Sequence, residues 1–177
     1  MVLHPPQIFE KLRYKTLFLD TNVFSTAFRY EELTNFLLDL RENDCALVTI
    51  PSVLFEVTRG SATLSVYNER AEALKSLVTY TDPMAFANQL DAFSVVMAKL
   101  LKPERSQYTD FLLSACLFKY RASGEVLLMT SDIQSLPSSI LIVSTSSLRK
   151  NRSEIRNFGI FRLNDAHYER ASAELLT

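Results

Sequence analysis

The chain has 177 residues, 47% hydrophobic and 22% charged, with a formal net charge of -1. This is about one domain's worth of sequence with enough apolar material for a sizeable core, and its near-neutral charge argues against coating nucleic acid through a global field. Apolar runs are short and broken by charge, far from the roughly 20 residues that cross a bilayer; the opening MVLHPPQIFEKLRYK lacks the apolar core of a secretory signal, so a cytoplasmic protein off the membrane is expected.

In chain order, KTLFLD reads as a short buried strand that ends at Asp20. YEELTNFLLDLREN follows as a helix with Leu33, Phe36, Leu37 and Leu40 on one stripe. The apolar, partly β-branched CALVTI is a strand stopped by Pro51, and SVLFEVTRG is a helix opening on Ser52 with Gly60 past its end. Helices are expected from Ala62 to Leu77, from Met84 to Leu101, and over YTDFLLSACLFKYR. After Gly124 come the strand EVLLMT, a turn segment SDIQSLPSS and the strand ILIVS. GIFRLN reads as a last strand, and a helix capped by Asn164 or Asp165 follows it.

Apolar strands separated by helices point to a parallel sheet covered on both faces. The expected fold is a three-layer α/β/α domain with a central, mainly parallel sheet, spanning 1–177, on which 144–177 packs as a C-terminal extension. None of the three glycines stands in a dinucleotide-binding or phosphate-loop pattern, which argues against a nucleotide cofactor. Cys45 and Cys116 lie in apolar settings that suit small buried hydrophobes, and their spacing does not suggest zinc.

In open parallel sheets ligands collect beyond the carboxyl ends of the strands. Asp20 and Asn22 follow TLFL there, and Ser131 and Asp132 follow EVLLMT. Glu56 lies about one turn into its helix, and Asp110 lies early in the helix before EVLLMT. Taken singly, each acid has an ordinary role as a cap, a turn residue or a complement to a helix dipole. Jointly, four acids interrupting apolar segments would converge on one crevice. Crowded carboxylates repel and raise a pKa unless a cation intervenes, and oxygen-only ligands suit Mg²⁺ or Mn²⁺. Such an ion activates water against a phosphodiester.

FLDTNVF, IPSVLFEVTRG, YTDFLLSACL and LLMTSDIQSLP resemble, in order and approximate spacing, the four acidic motifs of PIN-domain nucleases, including the VapC-like toxin ribonucleases. The resemblance covers residues 16 to about 143. It implies that Asp20, Glu56, Asp110 and Asp132 are catalytic, metal-binding acids, that Asn22 supports the first, and that Thr130, with Ser131 beside it, opens the fourth motif. It further implies Mg²⁺- or Mn²⁺-dependent RNA cleavage, a homodimer, and, for a toxin, an antitoxin partner that inserts a cation into the acidic crevice. Gln134 and Leu136 stand where family members often carry a further acid and an aromatic.

Two other readings compete. One is a catalytically weak or inactive PIN-like module that binds RNA or protein. The other is a haloacid-dehalogenase-like phosphatase, which needs a second aspartate two residues after its nucleophile, where this chain has Asn22. Finally, RKNRSEIRNFGIFR carries five cations against one acid. Arg149, Lys150, Arg152 and Arg156 are therefore candidates to contact RNA or a partner, against the simpler reading of a solvated surface.

Overall fold

The computed structural model describes residues 2–83, 108–123, 125–132, 140–149 and 155–176. The elements run β1 (Val2–Leu3), α1 (Ile8–Leu12), β2 (Thr16–Leu19), α2 (Thr21–Ala27), α3 (Glu31–Glu42), β3 (Ala46–Thr49), α4 (Pro51–Thr58), α5 (Leu64–Leu77) and β4 (Tyr80–Thr81). They continue with α6 (Tyr108–Lys119), a 3-10 turn (Arg121–Ser123), β5 (Val126–Thr130), β6 (Ile140–Arg149), β7 (Ile155–Leu163) and α7 (Asp165–Leu176). The helix expected from Met84 to Leu101 lies outside the described residues.

The protein is α/β, with a mixed sheet in the order β1-β6-β7-β5-β2-β3-β4. The expected parallel arrangement holds for β5, β2, β3 and β4. The remaining strands join antiparallel, β7 against β5, β6 against β7 and β1 against β6. Residues 144–149 and 155–163 are thus built into the sheet, with β7 lying directly against β5.

Successive side chains of a strand point to opposite faces, yet Leu17, Phe18 and Leu19 are all fully buried. Both faces of the central strand are therefore covered, which is compatible with three layers. On α3 the expected stripe of Leu33, Phe36, Leu37 and Leu40 is the buried one. α4 begins one residue earlier than expected, at Pro51 behind Ile50. A proline suits that position because its ring presets φ and the missing N–H has no helical acceptor there. Ser52 therefore lies inside the helix, with Ile50 as its cap, and its buried hydroxyl has no hydrogen-bond partner among the described residues. Cys45 and Cys116 are free and buried, and burial pushes both thiols up to about 12, so neither is poised as a nucleophile.

Register decides what meets at the top of the sheet. Leu19 stands opposite Met129, so Asp20 and Thr130 leave neighbouring strands at the same level. Thr130 in turn faces Gly159 of β7, where an added Cβ would collide with the Phe161 ring. Beyond Gly159 the β6–β7 pair continues upward to Arg149 opposite Ile155 and Leu148 opposite Arg156. At about 3.3 Å per residue, the backbone of Arg156 lies roughly 10 Å past the level of Thr130. Lys150 and Arg152 lie outside the described residues.

Candidate functional site

Asp20 ends β2 and caps α2 from an extended backbone conformation, its Oδ1 accepting the Thr21 N–H at 2.6 Å. α2 starts directly after Asp20, and that start is what gives the carboxylate its cap role. The other oxygen, Oδ2, accepts from the Thr130 hydroxyl at 2.7 Å and from the Asn22 side-chain amide. Asn22 Nδ2 also donates to Thr130 Oγ1 at 2.9 Å, and Asn22 Oδ1 accepts the Ser131 N–H at 2.8 Å. Thr130 Oγ1 accepts once more, from the Asp132 N–H at 3.0 Å. One amide and one hydroxyl therefore lock the ends of β2 and β5 together around a single carboxylate.

Glu56 is held by a second set of donors. Thr21 Oγ1 donates to its Oε2 at 2.5 Å, and the buried Thr109 donates to its Oε1. Three helices, α2, α4 and α6, are pinned together by these two bonds. Asp110 follows Thr109 and is half-buried, whereas Asp132 is exposed just past β5.

The charges of these acids act on one another. Asp20 is 6% exposed, and its pKa is pushed up from 3.8 to about 6. Burial is the largest cause, and the charges of Asp110 and Glu56 add to it, while the bonds from Thr130 and from the Thr21 N–H pull it back. The structure thus brings Asp20, Glu56 and Asp110 within electrostatic reach, with Asn22, Thr130 and Ser131 bonded around the first.

The donor set suits a hard divalent ion in kind, being carboxylates and hydroxyls only. Ser114, one turn beyond Asp110 on the same helix face, adds a buried hydroxyl without a hydrogen-bond partner among the described residues. As the side chains stand, no three carboxylate, imidazole or thiol groups among the described residues are grouped to hold a metal ion. An ion would share the oxygens of Asp20 and Glu56 with the hydroxyl and amide donors already bonded to them.

Three further residues are not evident from the sequence, two of them at this rim. Thr21 and Thr109 stand beside Asp20 and Asp110 in LDTN and YTD, and that adjacency was the available signal. The third is Asp82, which follows β4, is 2% exposed and accepts the Tyr120 hydroxyl at 2.6 Å.

Thr130→Val tests the junction. Removing the hydroxyl takes one acceptor from the Asn22 amide and from the Asp132 N–H and a donor from Asp20, so stability should fall by about 1–3 kcal/mol in urea unfolding. The Asp20 pKa should rise further, because the lost bond is one that lowers it.

The class defined by fold and site is an α/β protein with one buried carboxylate, Asp20, at the carboxyl end of a parallel strand and two half-buried ones, Glu56 and Asp110, on neighbouring helices within electrostatic reach of it. No family model matches the chain, and no curated protein or solved structure matches it significantly.

Proposed function

We propose that the protein is a Mg²⁺- or Mn²⁺-dependent endoribonuclease of PIN-like architecture. The observation that carries this reading is the environment of Asp20, whose ionised form is held at a cost beside Glu56 and Asp110. A buried carboxylate whose charged form is disfavoured by burial and by neighbouring acids is a candidate functional group, because a fold gains nothing from repulsion in its interior. A bound divalent ion would lower the pKa of a coordinated water and stabilise charge on the leaving oxygen. Asp20 and Asp110, with Glu56, would hold it; Asn22 and Thr130 fix the orientation of Asp20 and thereby the direction in which its free lone pairs point. Asp132 would join from the exposed side.

The placement of the basic residues also supports the reading. Backbone positions of Arg149 and Arg156 lie past the same end of the sheet as Asp20, rather than behind it. Toxin activity, an antitoxin and a homodimer stand on the resemblance alone.

A second reading, a PIN-like module that binds RNA without cutting it, is favoured by one specific feature. Both oxygens of Glu56 and both of Asp20 already accept hydrogen bonds from within the protein. A ribonuclease assay with Mn²⁺ and with EDTA separates the two. The nuclease reading expects metal-dependent cleavage by the wild type and little by Asp110→Asn, with RNA binding retained in both. Equal cleavage by wild type and variant would overturn it, and RNA binding without metal-dependent cleavage by the wild type would establish the second reading.

A further inference from the structure

At the opposite end of the sheet from Asp20, where β5 begins at Val126 and β7 ends at Leu163, lies a cavity of about 340 Å³. Leu117, Val126 and Leu163 give it an apolar lining, and Arg121 and Arg162 line it as well. Arg121 is held from three sides. Its Cζ stacks 3.9 Å above the Phe118 ring, its Nη1 donates to the Phe118 carbonyl at 3.1 Å, and its Nε lies 3.9 Å from Asp165 Oδ1. Arg162, the last cation of the basic segment, is exposed and has no carboxylate partner among the described residues.

The first turn of α7 supplies another wall through Asn164 and Asp165. The Tyr168 N–H bonds the Asn164 carbonyl at 3.0 Å, and the His167 N–H bonds the Asn164 side chain at 3.2 Å. The N–H groups of Asp165 and Ala166 come before the first helical bond and have no acceptor within the helix. Two guanidinium groups against one carboxylate leave an excess positive charge, to which the positive end of a 12-residue helix adds. Glu125, just before Val126, does not cancel that excess, because Lys15 Nζ lies 3.7 Å from it.

We propose that this cavity binds a phosphomonoester, its phosphate between Arg121 and Arg162 and its carrier group on the apolar lining. Guanidinium forks match phosphate oxygens in pairs, and Arg121 is already oriented by its contacts, so less freedom is lost on binding. The volume far exceeds a bare phosphate and falls at the lower end of the range of small-molecule sites. The ligand is therefore either a small phosphorylated compound of nucleotide size or the terminal phosphate of an RNA strand. This site is independent of the nuclease reading, since none of its residues belongs to the acidic rim.

The test is amide NMR and calorimetry on the full chain in EDTA, with AMP, adenosine, and a short oligoribonucleotide carrying either a 5′-phosphate or a 5′-hydroxyl. AMP should bind saturably and shift the Asp165 and Ala166 amides, whereas adenosine should not. Arg162→Ala, an exposed change that spares the fold, should weaken AMP by about tenfold or more, the equivalent of one charged hydrogen bond. Arg162→Lys should weaken it less. Tighter binding of the 5′-phosphorylated than of the 5′-hydroxyl oligonucleotide identifies an RNA end; AMP binding without that difference identifies a small ligand. Equal binding of adenosine and AMP, or an unchanged affinity in Arg162→Ala, would overturn the proposal.

Discussion

Asp20→Asn should leave the protein better folded at neutral pH and without the nuclease activity proposed above. In the native state the carboxyl titrates at about 6 rather than 3.8. Between those values the folded chain binds more protons at this position than the unfolded chain does, so the contribution of Asp20 to stability falls as pH rises through the window. A shift of about two units corresponds to about 3 kcal/mol once the group is fully ionised. Asparagine carries no charge to desolvate. Relative to wild type, the variant should therefore gain roughly 2–2.5 kcal/mol between pH 4 and pH 8 in parallel urea titrations. Some of the absolute gain is offset, because the new amide places donors opposite the Thr130 hydroxyl and the Asn22 amide.

Cleavage should fall at least about 100-fold, since even partners one step removed from a metal commonly cost that much. If Asp20 is a ligand as proposed, Mn²⁺ should raise the wild-type melting temperature at pH 7 more than at pH 5, since a cation favours the ionised acid, and should leave the variant unmoved. Identical pH dependence in the two proteins would show that Asp20 is not the strained group, and a fully active variant would remove it from the site.

Two residues earlier, Phe18→Ala should do the opposite. Phe18 is fully buried between Val48 and Leu128 on the central strand, and its ring stacks on Tyr120 at 6.3 Å between centroids. Cutting it to alanine removes most of a large side chain from a site walled by three strands and a helix end, where collapse is hindered. A loss of about 3–5 kcal/mol is expected, a large part of the stability of a typical domain. Phe18→Leu should cost less than about 1.5 kcal/mol if the neighbours repack. The urea midpoint should drop with an unchanged slope, and Mn²⁺ affinity of the folded fraction should be preserved. An alanine variant as stable as wild type would contradict the packing. Together the two substitutions separate what the strand does for the core from what its last residue does for the rim.

The parallel strands were legible because TLFL, ALVT and VLLMT are apolar throughout, as doubly covered strands must be. α3 was legible from its stripe. By contrast, α2 is seven residues long and buries Val23, Phe24, Thr26 and Ala27, so it shows no polar face and no period to read. The direction of β6 and β7 was not legible either, since alternation records which faces are buried and not which way a strand runs. Of the site, the positions of Asp20 and Asp132 at strand ends followed from the strands themselves. The clamps on Glu56 did not, because Thr21 and Thr109 lie 35 and 53 residues away from it and meet it only once three helices have packed. Asp82 sits among exposed residues and before Pro83, so it looks like a turn acid until the fold buries it.

β7 lies along the flank of β5 and hydrogen-bonds it from Leu128 to Thr130. VLLMT is almost wholly buried, which makes it the kind of strand that recruits further strands when its flank is open. In this chain that flank is closed by the molecule's own later residues, and the sheet stops growing there because the next two places are already taken by β7 and β6. The last third of the chain thus keeps the most apolar part of the sheet from templating assembly with other copies, a protective duty separate from any ligand it binds.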